Sequence, residues 1–568
     1  MEATPLSTLP YQVDVFTHVP LLLSKVDELV WTSAIAALGS HALYNRKEPT
    51  VQQFFWFSGV LEAALLYYVL DVRPASGPVI AVLLANAVYW ITLVTSIVVY
   101  RVFLHPLRRF PGPLLSQITR LHMAVINYKH ETHIAIQKWH QQYGDIIRVG
   151  PNELSFAHAD SVAGIHGAHS AKVTRGPWYD GNPGEEAKSL ATTRDLSNHH
   201  WRRRVWEPAF STKALKTYDY RLVRLLDIMV DQLHKRSGTI IDWGDWTDFF
   251  TFDVMGELGY GHDFGMLEKG TQHQYALYIH QSLRLLVFFS AIPWSATLWR
   301  WIPLSPQAKA DTLEFWNFAR TRFEQRIKEG SDRDDVFGYL LHADEDSGKT
   351  LSRPEIESDS RTIIIAGANS TALAMSFLFF FLLVDRKRFA KLREEVDSIW
   401  DGSSQLDGLT LGQDKAPYLN ACINEALRVM PPGPNGMQRR VPDEGHFVAG
   451  VFVPPETQLS VHAWTMQRDE RFFTKGTEFI PERWIDAERP AGFAHDSRAF
   501  IPFSVGNFGC VGKQLAMLEI RLMTTTVVKN FDFELDPQFD PQAFLDDCKS
   551  NLTLTKGPIP VKVTTRSY

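Results

Sequence analysis

Between Pro78 and Tyr100 the chain runs 23 residues without a charged side chain, and no other stretch narrows the possible folds as much. As an α-helix rising about 1.5 Å per residue, such a segment crosses a hydrocarbon core of roughly 30 Å with its backbone groups bonded internally. A transmembrane helix is therefore expected there. Val51 to Leu70, apolar apart from Gln52, Gln53, Ser58 and Glu62, reads as a second span. Leu29 to Tyr44 is shorter and milder, a third span or an interfacial helix. Arg46 and Lys47 follow that stretch, and Arg101, Arg108 and Arg109 follow Tyr100. The positive-inside tendency puts both groups, and the body beyond them, on the cytoplasmic side. The apolar segments are too long and too internal for a cleaved secretory signal. Residues 1–110 thus read as a membrane region and 111–568 as a soluble body, joined by the stiff turn Phe110-Pro-Gly-Pro113.

With 45% hydrophobic and 21% charged residues, the chain has material for a sizeable core and is not disordered. A net charge of −6 and the lack of a basic block exclude nucleic acid as a partner. The three cysteines, Cys422, Cys510 and Cys548, are too scattered for a disulfide framework or a zinc site and suit a reducing compartment. Helical periodicity dominates Leu196 to Phe210, Tyr218 to Val336, Ser358 to Val384 and Leu419 to Val429. Strand-like runs are short: Ile146 to Val149 and Glu153 to Phe156 around Gly150-Pro151-Asn152, then Met437 to Val441, Phe447 to Val453, Gln458 to Val461, Asn551 to Thr555 and Val561 to Val563. The body is expected to be mainly α with small β-sheets, of the α+β class.

Several segments carry both a plain and a chemical reading. Cys510 sits in a glycine-rich loop, Phe503-Ser-Val-Gly-Asn-Phe-Gly-Cys-Val-Gly512, ahead of a helical pattern over Val511 to Arg521. A lone cysteine is commonly a small buried hydrophobe. At a helix N-terminus it could instead be a thiolate metal ligand, with glycines letting a planar group approach. Ala366-Gly-Ala-Asn-Ser-Thr371 interrupts a long apolar helix with small and hydroxyl-bearing residues, from close helix packing or from a polar groove for a small ligand. His199, Arg202, Arg203 and Arg204 form a basic helix, a solvated face if nothing else. Glu425 and Arg428 lie one helical turn apart, and Arg483 stands in Pro481-Glu-Arg-Trp484, with no spacing that brings it to Glu425. The aromatic-rich stretch Leu283 to Trp301 is core, or a surface that dips into a bilayer and admits lipophilic molecules.

Taken in order from about Val99 onward, these pieces resemble the cytochrome P450 family of haem-thiolate monooxygenases, most closely the membrane-anchored fungal enzymes of specialised metabolism. The resemblance implies the P450 fold, preceded here by transmembrane helices, and haem b as cofactor. Cys510 matches the axial iron ligand, with Phe503, Gly506 and Gly512 in its loop. Asn369, Ser370 and Thr371 fall in the oxygen-binding groove. Glu425, Arg428 and Arg483 match a structural triad, and His199, Arg203 and Arg439 look like donors to the haem propionates. Also implied are O2, electrons from NADPH through NADPH–cytochrome P450 reductase, and an endoplasmic reticulum membrane with the catalytic domain facing the cytoplasm. The substrate is expected to be a lipophilic terpenoid, polyketide or alkaloid intermediate that is hydroxylated, epoxidised or otherwise oxidised, positioned by residues such as Met437. Arg202, Arg204 and Lys513 are expected to form a positive patch for the reductase.

This sequence departs from the family pattern in three places. Phe508 stands where arginine or histidine is usual two residues before the cysteine, so one haem-propionate contact is missing or supplied elsewhere. Asn369 replaces the usual acid and Ser370 the usual threonine, so a proton relay must run through Ser370 or Thr371 and water. Asn369 is also what favours an alternative, an oxygen-independent haem-thiolate isomerase or dehydratase. A non-catalytic membrane haem-binding protein is the third reading.

Overall fold

The computed structural model describes residues 15–46, 49–72, 77–167, 169–181, 186–295, 298, 306–400 and 406–567. The chain divides into two compact units between Arg108 and Arg109. In the first, helices run Val15–Arg46, Val51–Val72 and Pro78–Val99, the last extended by a π-helical turn at Tyr100–Leu104. Gly77, at φ 82°, turns the chain into the third helix, where Pro78 takes a first-turn position that needs no N–H partner. Val51–Asp71 and Pro78–Leu104 are long and apolar enough to cross a membrane. Apolar residues such as Phe55, Tyr67, Leu83 and Ile91 face outward along them, as lipid contact requires. The milder Leu29–Tyr44 stretch belongs to a helix reaching back to Val15, outside the set apolar enough to span. It packs on the third helix through Ala37, Tyr89 and Leu93, and Tyr89 donates a buried hydrogen bond to Ser40 Oγ at 2.9 Å. Small residues that let helices approach, joined by a polar contact, are the usual means of helix association in lipid.

The second unit is mainly helical with small sheets. Its centre is the helix Arg353–Val384, begun by a capping box between Ser352 and Glu355. This helix also has the length and apolarity of a membrane span, but 78% of its most apolar stretch lies inside the protein, so it is core. It packs mainly on Trp243–Gly259. Contact is so close that a Cβ at Gly367 would lie 2.1 Å from Met255 Sδ, and one at Gly259 2.9 Å from Ile364 Cδ1. Gly367 and buried Ala368 are therefore present for packing, whereas Ala366 is exposed and Ser370 half-buried on another side. The close-packing reading of the small-residue cluster holds at Gly367 and Ala368.

A five-stranded sheet orders its strands as Ile146–Gly150, Glu153–Phe156, Gln458–Val461, Arg439–Arg440 and Thr174–Arg175. Within it Glu153–Phe156 pairs parallel to Gln458–Val461, and Arg175 lies opposite Arg439 in an antiparallel pair. Three strands at Ile240–Asp242, Pro560–Thr565 and Phe531–Leu535 form a second sheet, and His446–Val448 with Val451–Val453 a hairpin. Asn551 to Thr555, read as strand-like, contributes only the isolated bridge of Ser550 with Leu554. The turn Phe110–Pro113 is fixed to the first sheet, since Arg148 N donates to Pro111 O at 2.7 Å and a Cβ on Gly112 would meet Arg148 O at 2.3 Å. Of the aromatic stretch Leu283 to Trp301, side chains 283–285 and residues 296–297 and 299–301 lie outside the described residues. In the described part, Ala291 and Ile292 pack on Ala124 of the helix Leu121–Tyr128.

Candidate active site

The loop before Cys510 is shaped by one obligatory glycine. Gly506 has φ 70°, and a Cβ there would sit 1.8 Å from His166 O, so no other residue fits. Gly509 and Gly512 take negative φ, so of the three loop glycines only Gly506 is required for its backbone angle. Cys510 N donates to Phe503 O and Gly509 N to Gly506 O, both at 2.9 Å. The helix then starts at Lys513, two residues later than the periodicity indicates, with Gly512 as its N-cap.

The sulfur of Cys510 receives backbone N–H groups from Gly512 and Lys513, as a helix N-terminus should provide. Burial nevertheless pushes the thiol above its ordinary pKa, outweighing those bonds and the positive charge of Arg203 and Lys513. The residue as a whole is exposed, so what opposes the thiolate is the surroundings of the sulfur alone. The helix terminus by itself therefore does not make a thiolate here. A bound metal ion would, because coordination removes a thiol's proton outright.

Around the loop lie four basic groups, and among the described residues only Arg203 has an acid partner. His199 and Arg203 project from the helix Leu196–Trp206, whose N-cap Asp195 accepts from Ser197 N and Asn198 N. Arg203 bonds Glu207 Oε1 at 2.9 Å and Gly509 O at 2.7 Å, which ties the basic helix to the cysteine loop. Arg439 is buried, donating to Tyr179 Oη at 3.1 Å. Arg175, opposite it in the sheet, donates to Leu190 O at 2.7 Å and Thr193 O at 2.8 Å. His199 Nδ1 and the Nε atoms of Arg175 and Arg439 are buried with no hydrogen-bond partner among the described residues. Burial, reinforced by Arg175, Arg203, His200 and Arg439, lowers His199 to about 3. Burial with the nearby Arg439 and Arg203 brings Arg175 down to about 10, against the support of Tyr179. A pocket of mutually repelling donors is built for an anion, and orphaned buried donors call for a partner. Nothing in the local sequence around Thr174-Arg-Gly-Pro177 marked Arg175; only the strand pairing brings it to Arg439.

Two members of the anticipated reductase patch are placed otherwise. Arg202 is buried and ion-paired to Asp359 at 2.8 Å, with Trp206 Nε1 and Leu190 N on the same carboxylate at 3.0 and 2.7 Å. Arg204 donates to both oxygens of Asp344 at 2.8 and 2.7 Å and lies 3.1 Å from Asp346. Arg202 therefore links the basic helix to the central helix, and the charge of Arg204 is already matched.

On the central helix, Ser370 Oγ donates to Ala366 O at 2.7 Å. Asn369 is buried and donates its amide to Thr553 Oγ1 at 2.6 Å, while Thr371 is buried. Ala366 is exposed and Ser370 half-buried, whereas Asn369 and Leu373 are covered, so this part of the helix presents no continuous open face.

Glu425, Arg428 and Arg483 form a buried cluster. Glu425 accepts Arg428 Nε and Nη2 at 2.8 Å each, Arg483 Nε at 3.0 Å, Ile480 N at 2.8 Å and Trp484 Nε1 at 2.9 Å. Arg428 also donates to the carbonyls of Gln467, Gly476 and Glu478. Burial would raise the Glu425 carboxyl, but the two guanidiniums and these donors hold it below its ordinary pKa. The cluster joins the helix Pro417–Val429 to the segment that leads into the cysteine loop.

The cytochrome P450 family model matches residues 111–563. A cytochrome P450 monooxygenase of Fusarium pseudograminearum, FCK2, is 33% identical over 516 residues, 89% of this chain and 92% of the relative. The averantin hydroxylase of Dothistroma septosporum is 31% identical over 508 residues, covering 87% and 94%. In fold, the crystal structure of the cytochrome P450DA heme domain matches with a TM-score of 0.66 at 19% identity, over 81% of this chain and 98% of that one. The chain belongs to the cytochrome P450 family. It is a monooxygenase of the fungal, secondary-metabolic kind, an enzyme class that holds haem through a thiolate, uses O2 and a redox partner, and acts on small molecules. The residues present fit that cofactor: a sulfur at a helix N-terminus beside unpaired buried donors suits an iron centre flanked by carboxylates.

Proposed function

We propose that this chain oxidises a lipophilic intermediate of secondary metabolism, a terpenoid, polyketide or alkaloid, by hydroxylation or epoxidation. Electrons come from NADPH through NADPH–cytochrome P450 reductase. Residues 1–110 anchor the enzyme in the endoplasmic reticulum membrane, and residues 111–568, the monooxygenase domain, face the cytoplasm. The supporting observation is the coincidence of one thiol, Cys510, with a pocket of uncompensated basic donors.

Cys510 would hold the iron of haem b, with Phe503, Gly506 and Gly512 shaping its loop. His199, Arg439 and Arg175 would hold the propionates, and charge-assisted bonds of this kind are among the stronger ones available. Arg203 contributes by fixing Gly509 O, and so the loop. When bound, haem supplies oxygen activation, and electron density from the thiolate favours O–O cleavage. The chain's own part is to deliver protons and exclude water. Asn369 cannot release a proton at neutral pH, and its amide is already given to Thr553. Thr371 is buried, whereas Ser370 is half-exposed and its Oγ–H bonds only the backbone carbonyl of Ala366. Ser370 is therefore the proton-passing hydroxyl, turning from Ala366 O to a water when it acts. Glu425, Arg428 and Arg483 hold the scaffold.

The bonded Asn369 amide also favours a second reading, the oxygen-independent isomerase or dehydratase. Metabolite comparison of strains with and without the protein, followed by turnover under labelled O2 with a reductase, tests both. Label in the product and substrate-dependent NADPH consumption support the monooxygenase; product without label or NADPH use supports the isomerase.

A further inference from the structure

Phe508, two residues before Cys510, is the apparent gap in the haem-binding loop. Its surroundings give it a different part. Arg175 Cζ lies 4.5 Å and Arg439 Cζ 4.7 Å from the centre of its ring, and the ring of His199 is 4.6 Å away at 58°. Arg175 and Arg439 are cross-strand partners, so the backbone fixes their Cα atoms side by side, where like charges repel. Both are buried. Among the described residues neither has a carboxylate within ion-pair distance: Arg175 donates to the carbonyls of Leu190 and Thr193 and also lies 5.2 Å from the ring centre of Tyr179, and Arg439 donates to Tyr179 Oη and the Gln438 carbonyl. Their Nε atoms remain without acceptors. Two guanidiniums held together without a counter-charge need an electron-rich neighbour, and the negative face of an aromatic ring is one.

We infer that Phe508 is a positioning residue whose ring, shared by Arg175 and Arg439, keeps this crowded pair in place as donors to the haem carboxylates. The inference rests on the haem reading of the Cys510 loop. It also reverses the simple expectation for the position. If Phe508 only marked a missing contact, an arginine there would tighten haem. Because the ring offsets repulsion between two cations, a third guanidinium in its place loosens haem instead.

The test uses the full-length, haem-loaded protein and measures haem loss to excess apomyoglobin, beside the carbon monoxide spectrum of the reduced form. Phe508→Tyr keeps the ring and should release haem within about twofold of wild type, whereas Phe508→Leu should release it about tenfold faster and Phe508→Arg at least as fast. Phe508→Met, also without a ring, gives the same answer should the leucine variant fail to accumulate. Arg175→Gln should speed haem loss in the wild type but add little to Phe508→Leu, as expected when the arginine acts through its contact with the ring. Slower release from Phe508→Arg, unchanged release from the ring-free variants, or additive effects of Arg175→Gln and Phe508→Leu would overturn the inference while leaving the haem reading intact. A wild-type protein without haem or without a thiolate-type spectrum would overturn both.

Discussion

Replacing Glu425 by glutamine leaves the side chain's shape and removes the charge that five donors converge on. Arg428 and Arg483 are both fully buried, so they would keep their charge with no counter-ion and no route to water. Removing one partner of a buried ion pair costs about 3–5 kcal/mol, because the survivor stays desolvated. In a unit of roughly 460 residues, with a transition entropy of about 2 cal/mol/K per residue, each kcal/mol moves the midpoint by about 1 °C. Glu425→Gln should thus lower the midpoint of haem-loaded protein by about 3–5 °C in scanning calorimetry and reduce the haem recovered per protein. Arg471→Gln, which breaks the exposed pair with Asp145 and Asp469, is the control and should move it by less than about 1 °C. A Glu425→Gln midpoint within about 1 °C of wild type, or a control that falls as far, would refute the reasoning.

Acid should destabilise the protein through buried histidines: burial holds His133 at about 3 and His140 at about 4, and keeps His462 well below its ordinary value. The unfolded chain protonates these near 6.5, so it binds more protons than the fold between pH 6.5 and about 4, and stability falls with falling pH by up to about 1.4 kcal/mol per unit per histidine. His133→Phe should flatten the decline measured by denaturant titration at pH 7 and pH 5. Arg202→Ala, which strands Asp359, should abolish accumulation of haem-loaded protein, while Arg204→Ala should leave the reductase concentration for half-maximal rate unchanged, as Asp344 and Asp346 already offset that charge. Ser370→Ala should lower product formed per NADPH consumed by about tenfold or more, the scale of a lost proton-transfer group; Thr371→Val should affect this ratio far less, and the reverse order would reassign the relay.

Where a segment's own pattern decides its state, the sequence was informative. The charge-free run from Pro78 had one physical solution, and the glycine-rich loop before Cys510 carried its turn in Gly506. The cluster at Ala366–Thr371 was legible as unusual but not as two-sided, because which face meets Met255 and which stays open is set by the packing of the Trp243–Gly259 helix. Arg202 and Arg204 read as a charged surface until tertiary contacts supplied Asp359 and Asp344, each more than 100 positions away. Arg175 carried no signal, since only the strand pairing brings it beside Arg439. The thiol of Cys510 shows the same limit in energetic form: its helix-terminal position was visible, whereas the burial that outweighs it was not.

The proposed role of Cys510, as the thiolate that would hold the haem iron, has one direct test. Reduced wild-type protein exposed to carbon monoxide should give the band characteristic of a thiolate-bound haem. Cys510→Ala should lose that band even if some haem remains, because the other two cysteines, Cys422 and Cys548, are buried in the hydrophobic core whereas Cys510 is exposed. A thiolate-type band surviving in Cys510→Ala would contradict the assignment.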